Sequence, residues 1–377
     1  MKLKNINLSA TVGIMILGMH TLANAASIDE RVSIHGYGDT AMLRSTANNY
    51  TGRYGGTKWD YNYISLNITA QIDEKTKVVA QLRSGSEVPN DMGAFINHNL
   101  TDNLTLRAGQ IKAPVGIYNE IRDIKFLQLS VLSPLMYQDA AGTLPDSFKG
   151  IEAIYHMDMG AHRLTVDIYG GEPRGANTYV QIAPQNWFLV ENIYGVRFTY
   201  RTPIGLKFSA SHFQNDVLTA TTATAGTVAP PLSQVDGSGT RKLSSASAEF
   251  RGNKLDVKLE YAIASQLEGY AISGKGTSYY AQIGYNITEK ITPFVRYDYI
   301  SYNDKEVADP ASLIKNNYYQ KVKVLGFTYR LNNAVSLRME NHWNTGYAIP
   351  AYAQGGAIAI NPKEDWNIFA MGANFIF

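Results

Sequence analysis

The stretch Asn367-Ile368-Phe369-Ala370-Met371-Gly372-Ala373-Asn374-Phe375-Ile376-Phe377 decides the fold. Read with the period of two that a strand imposes, it places Phe369, Met371, Ala373, Phe375 and Phe377 on one face. An apolar strand of this kind pairs with other chains, or frays, unless it is tied into a sheet. In a closed membrane barrel the last strand pairs with the first, and every backbone polar group finds a partner within the chain. The apolar face then meets lipid and the residues between meet a lumen, which is the alternation of a transmembrane β-barrel.

The other end of the chain agrees. Lys2 and Lys4 precede an apolar run from Ala10 to Leu17, and Ala23-Asn24-Ala25 follows as a small-residue cleavage pattern. The run is too short to span a bilayer, so residues 1–25 read as a secretory signal peptide cut after Ala25, leaving residues 26–377 as one barrel domain.

Composition excludes other classes. No apolar run after the signal reaches the length of a helical span, so the 45% hydrophobic content is dispersed along strands. The absence of Cys removes disulfides, thiolate metal sites and cysteine nucleophiles. Beyond Ala25 there are 32 basic and 32 acidic residues, which gives no electrostatic case for nucleic acid as a partner. No cofactor is expected.

Alternation along the rest of the chain gives sixteen strands, near 31–44, 58–72, 76–86, 92–100, 104–111, 148–157, 162–171, 191–202, 205–215, 241–251, 254–265, 277–288, 291–303, 318–331, 334–345 and 365–377. In the second, Ile64, Leu66, Ile68, Ala70 and Ile72 alternate with Ser65, Asn67, Thr69 and Gln71. Connections alternate between short and long. The short ones, such as Asp73-Glu74-Lys75, Gly252-Asn253 and Asn332-Asn333, carry turn chemistry and read as periplasmic turns. The stretches near 45–57, 87–91, 112–147, 172–190, 216–240, 266–276, 304–317 and 346–364 read as external loops. A soluble all-β sandwich has no reason to keep its long connections on one side. Trp59, Tyr61, Tyr63, Tyr297, Tyr299, Tyr302, Trp343 and Trp366 fall near strand ends, where amphipathic rings suit a headgroup level.

A signal peptide, sixteen strands, a terminal Phe and a long third external loop together resemble the general-diffusion porins of Gram-negative outer membranes. The segment Gly109-Gln110-Ile111-Lys112-Ala113-Pro114-Val115-Gly116-Ile117-Tyr118-Asn119-Glu120-Ile121-Arg122-Asp123 is also similar to a sequence found in porin-like proteins, although the loop has no acidic PEFGG-type run. The resemblance implies a homotrimer embedded in outer-membrane lipid and lipopolysaccharide. It also implies that Phe377 is the assembly signal read by the barrel-assembly machinery.

In that family the third loop folds into the lumen as a constriction. The resemblance therefore makes Lys112, Tyr118, Glu120, Arg122, Asp123, Lys125, Asp139 and Asp146 candidates for the eyelet, with Phe126 to Met136 holding the loop against the wall. Alternation places Arg83, Arg107, Arg197, Arg201, Arg296 and Arg338 on the lumen face, with Glu152, Asp167, Asp256, Glu260, Asp298 and Glu340. Such charges set a transverse field that favours polar solutes.

The expected function is passive diffusion of small hydrophilic solutes and ions. A channel selective for an oxyanion, sugar or organic acid is the alternative, with Tyr118 and the lumen arginines as binding residues. An enzyme is not expected, because His35, His98, His156, His162, His212 and His342 stand in no metal or nucleophile motif. The run Thr219 to Gly226, in the fifth external loop, leaves an adhesin or receptor role as a reading of another class.

Overall fold

The computed structural model describes residues 31–48, 57–85, 91–138, 146–173, 180–183, 186–221, 237–266, 274–302, 319–346 and 363–377. The expected signal peptide lies outside the described residues.

The strands are β1 (Val32–Ser45), β2 (Thr57–Gln71), β3 (Thr76–Gly85), β4 (Asp91–Asn99), β5 (Leu104–Lys112), β6 (Ser147–Met159), β7 (His162–Pro173), β8 (Val180–Ala183) and β9 (Asn186–Arg201). They continue as β10 (Leu206–Thr221), β11 (Gly237–Arg251), β12 (Leu255–Gln266), β13 (Gly274–Tyr285), β14 (Ile291–Tyr302), β15 (Tyr319–Arg330), β16 (Val335–Gly346) and β17 (Asp365–Ile376). Every stave pairs antiparallel with the next, β7 pairs directly with β9, and β17 returns to β1. Sixteen strands thus close the barrel. The short β8 adds only to the outer end of β9, with Val180 opposite Phe188, inside the stretch near 172–190 that sequence reads as a loop. β9 correspondingly starts at Asn186, five residues before its expected start at 191.

The period of two is visible in burial. Along β15, Gln320, Val322 and Val324 are buried while Lys321, Lys323 and Leu325 are exposed. Turns on one side are closed by side chains, as sequence implies. Asp73 accepts the backbone N–H of Lys75 and Thr76 at 2.8 Å each, and Asn332 accepts those of Ala334 and Val335 at 2.8 Å each.

The seam is closed by backbone pairs from Tyr37 opposite Ile376 to Ser45 opposite Ile368. Gly36 donates its N–H to the Phe377 carbonyl at 2.8 Å, and Phe377 returns the bond at 2.9 Å. The Phe377 ring lies on Gly36: a Cβ there would come within 2.1 Å of the ring. Phe375 covers Gly38 in the same way, and its ring stacks on that of Phe377.

Two aromatic placements differ from the sequence reading. Tyr63 and Trp366 are buried on the lumen side, and the Trp366 indole N–H reaches the Gly346 carbonyl at 3.2 Å. Both follow from parity, because Tyr63 shares a face with Ser65 and Asn67, and Trp366 with Ile368 and Ala370. Trp59 nevertheless faces outward, since the pairing of β1 with β2 slips between Asp39 and Ala41 and shifts the alternation.

Gly36→Leu is expected to lower folding stability by about 1–3 kcal/mol, because the side chain enters space held by the Phe377 ring. Urea unfolding of the barrel in detergent micelles, followed by protease protection of residues 363–377, measures this.

Candidate functional site

A barrel of sixteen strands is too wide for its own side chains to fill, so its interior is set by whatever enters it. The connection between β5 and β6 enters. Residues 113–138 form three short 3-10 turns, Asn119–Ile121, Lys125–Leu127 and Leu135–Tyr137, and none of these residues is exposed. Apolar residues seat the loop. Val131 and Leu132 pack among Ala41, Leu43, Trp366, Ile368 and Ala370, while Leu135 joins Phe294, Ile300, Val322 and Val324. Ile117, Tyr118, Met136 and Tyr137 pack with Phe148, Tyr169, Phe213, Leu243 and Tyr280. Each fully buried large apolar side chain stabilises this arrangement by about 1.5–3 kcal/mol relative to exposure.

A loop in a polar lumen must also satisfy its backbone, and the wall charges do this. Glu340 accepts the N–H groups of Val131 at 2.9 Å and Leu132 at 2.8 Å, and His342 lies 2.8 Å from the same carboxylate. Arg296 donates to the Ser130 hydroxyl at 2.9 Å and the Leu132 carbonyl at 3.0 Å, with Asp298 orienting its Nε at 2.7 Å. Arg338 donates to the Ser130 carbonyl at 2.6 Å and is paired with Asp39, both fully buried. Asp298 accepts the Leu135 N–H at 3.2 Å, and Thr328 donates to the Leu129 carbonyl at 2.7 Å. Glu260 takes the Tyr137 hydroxyl at 2.7 Å.

The segment from Ile117 to Asp123 crosses the lumen. Ile117 meets Glu260 on β12, Glu120 is paired with Arg197 on β9, and Asp123 is paired with Arg83 on β3. Tyr63 on β2 also donates to the Asp123 carbonyl. Lys112 bonds both Asp123 and, at 2.6 Å, Asp146, which lies 3.4 Å from Arg122. Burial works against the Asp123 charge, but Lys112, Arg83 and Arg122 outweigh it and hold the carboxyl well below the usual carboxylate range. Burial pushes the Lys125 ammonium down to about 8, with Asp39 acting against it.

Gly116 makes the crossing possible. Its φ of +63° is the left-handed conformation, and a Cβ would lie 2.0 Å from the Tyr137 Oη and 2.1 Å from the Glu260 Oε1. Sequence reasoning did not single out this residue, although a Gly beside Val115 and Ile117 was the available signal.

The predicted residues therefore divide. Lys112, Arg122, Asp123 and Asp146 are half-buried members of one charged cluster with Arg83, and Glu120, also half-buried, belongs to a second one with Arg197 and Asp167. Tyr118 and Lys125 have a different setting. Tyr118 is wholly buried against Tyr137 and Tyr280, and Lys125 is buried with its ammonium on the Ser133 hydroxyl at 2.8 Å. Neither presents its polar group to an open passage. Arg107 lies on the wall, bonded to Asn97 and Glu152. Arg201 ends β9 at the short turn to β10, opposite Lys207. Asp139 lies outside the described residues.

Comparison with known proteins places the fold. No family model matches the sequence, and no curated protein matches it. Among solved structures, the chain is similar to outer-membrane-expressed OmpT of Vibrio cholerae, with a TM-score of 0.58 and 11% identity over 93% of this chain and 99% of that one. An in-vitro folded form of that OmpT, described as a trimer, gives 0.58 at 11% over 92% and 99%. OmpF of Salmonella typhi, in complex with daunomycin, gives 0.55 at 11% over 92% and 97%. The chain has the fold of the sixteen-stranded Gram-negative outer-membrane porins.

Two outcomes are expected for the loop. Arg338→Ala leaves Asp39 buried without its cation and costs about 3–5 kcal/mol, read as a fall in the unfolding midpoint. Asp123→Asn costs about 1.5–3 kcal/mol at neutral pH. Because the carboxyl is depressed in the folded state, its contribution is complete above the ordinary carboxylate value of about 4. It is lost only as pH falls below that, where wild type and variant converge in unfolding titrations.

Proposed function

We propose that this chain is an outer-membrane porin that lets small hydrophilic solutes diffuse through a loop-narrowed pore. The observation that carries the reading is the third external connection, between β5 and β6, folded inward and bonded to lumen-facing residues on both sides of a closed sixteen-stranded barrel. A structure built to fill its interior needs no such loop; one built to limit the size of what passes does. Residues 1–25 direct export and are removed, and residues 26–377 form the channel. Phe377 serves as the assembly signal for the barrel-assembly machinery, and lipopolysaccharide surrounds the outer rim. The protein acts without cofactor and is not an enzyme.

The barrel works as a homotrimer. Around β12 to β15 the outward residues are Tyr261, Tyr279, Tyr285, Tyr297, Tyr299 and Phe327, which suit lipid. Around β3 to β5 they include Ala80, Ala94 and Ala108, which let another barrel approach closely.

Purified protein lacking residues 1–25, reconstituted in planar bilayers, is expected to give large stepwise conductances; a barrel that inserts but gives no steps would sink the reading. Gly116→Ala, Arg122→Ala and Asp123→Ala are expected to change the step size, with Gly116→Ala giving larger, noisier steps. Steps that all three leave unaltered would remove this loop from the pore. Flux that saturates at low solute would favour a solute-selective channel over general diffusion.

A further inference from the structure

We propose that the outward face of β10 and β11 is a contact between copies of this barrel, a two-fold joint separate from the trimer face that links one trimer to the next. The inference rests on the barrel spanning a membrane, not on conduction.

The apolar band has a notch there. Rising from the periplasmic end, the outward positions of β9 are Tyr200, Phe198, Val196 and Tyr194, and those of β12 are Leu255, Val257, Leu259, Tyr261 and Ile263. Between them, β10 presents Phe208, Ala210, His212, Gln214 and Asp216, and β11 presents Phe250, Ala248, Ala246, Ser244 and Lys242. Above Phe208 and Phe250, none of these positions holds a large apolar side chain. Register makes the residues neighbours: Ala210 stands opposite Ala246, His212 opposite Ser244 and Gln214 opposite Lys242. His212, Ser244 and Lys242 are exposed, and the His212 Nδ1 lies 2.8 Å from the Ser244 hydroxyl.

Depth makes this placement costly against lipid. A strand rises about 3.3 Å per residue and tilts by about 40°, so His212 stands about 10 Å above Phe208, near the middle of an apolar band about 25 Å tall. The short stems of His212 and Gln214 cannot lift their polar groups to the headgroups. Lys321 and Lys323 on β15 also face outward, but their long stems reach the outer rim. Asn341 on β16 is a single polar side chain set between Leu325 and Phe369. The notch instead joins polar groups to alanines on two adjacent strands, the combination that seals protein against protein inside a membrane.

A second copy fits the notch because the face complements itself. Across a two-fold axis along the membrane normal, β10 of one copy faces β11 of the other. His212 then meets the partner's Ser244, Asp216 comes to the level of the partner's Lys242, and the alanines below let the two sheets approach closely. Five to six of the sixteen staves, about a third of the circumference, separate this face from β3–β5. In a ring of three, the directions to a barrel's two neighbours differ by only a sixth of a turn, so β10 and β11 lie outside the trimer contact.

The chain has no Cys, so introduced thiols report contacts without background. Protein lacking residues 1–25 is made as His212→Cys and as Ser244→Cys, and the two are mixed in phosphatidylcholine vesicles and oxidised. A disulfide-linked pair of barrels is expected from the mixture, with much lower yield from either variant alone or from Leu325→Cys, an outward position on β15. Adding Gln214→Leu and Lys242→Leu to both variants is expected to lower the linked fraction about tenfold. Ala246→Trp, which suits lipid but holds the faces apart, is expected to do the same and keeps the test valid if the leucine variant fails to fold. An equal yield from Leu325→Cys, or a yield that the folded variants leave unchanged, overturns the contact. No linked pair also overturns it and assigns the notch to lipid headgroups or to a different protein; trimers still present on native electrophoresis would then show that the trimer face stands without it. The readout is a covalent link rather than a current, so its failure leaves the porin reading untouched.

Discussion

A sheet placed in hydrocarbon has to leave no backbone group unpaired, and the pairing of β1 with β17 meets that requirement. Once the sheet is closed, a side chain has two directions only, toward lipid or toward the lumen. Polar residues of every strand are thereby collected in one interior, and a long connection that carries Ile117, Val131, Leu132 and Leu135 finds apolar partners there that water would not supply. Loop placement is thus a consequence of closure combined with the inward aromatic and aliphatic residues of the outer half of the staves.

The charges of the lumen do two different jobs. Glu340, Arg296, Arg338 and Asp298 face inward, yet they are occupied by the backbone of residues 130–135. A buried pair such as Arg338 with Asp39 is weak evidence for added stability, since its desolvation cost is large. What it does supply is direction: donors and acceptors at fixed positions accept one path of the loop backbone and reject others. Lys207 and Arg251, by contrast, pair with Glu249 and Asp256 of the wall, and the Arg251 side chain is 46% exposed. Sign and number of charges alone do not separate these two sets; their partners across the lumen do.

Much of this was legible in the sequence, and the reasons differ by feature. The strands were readable because alternation is a local property, as in Ile64, Leu66 and Ile68 against Ser65, Asn67 and Thr69. The inward position of Tyr63 and Trp366 was also readable by parity, but their aromatic character pointed to the rim instead. The outward turn of Trp59 was not readable, because it depends on a slip in pairing that leaves no composition signal. The burial of Tyr118 and Lys125 was not readable, for a non-local reason. A loop residue's surroundings are set by walls more than a hundred positions away, such as Tyr280 for Tyr118 and Arg338 for Lys125. The short β8 was missed because four residues are too few to establish a period.

The seam joins positions about 340 apart in sequence, from Tyr37 to Ile376. Bringing such distant segments together costs about 5 kcal/mol of chain entropy before any contact rewards it. Contacts this non-local make folding slow. Until β1 and β17 meet, the apolar row from Phe369 to Phe377 has no partner and is open to pairing with other chains. The interval before closure is therefore the period in which this chain is most open to association with other chains, and the length of that exposure is written into the distance between its two seam strands rather than into the stability of the finished barrel.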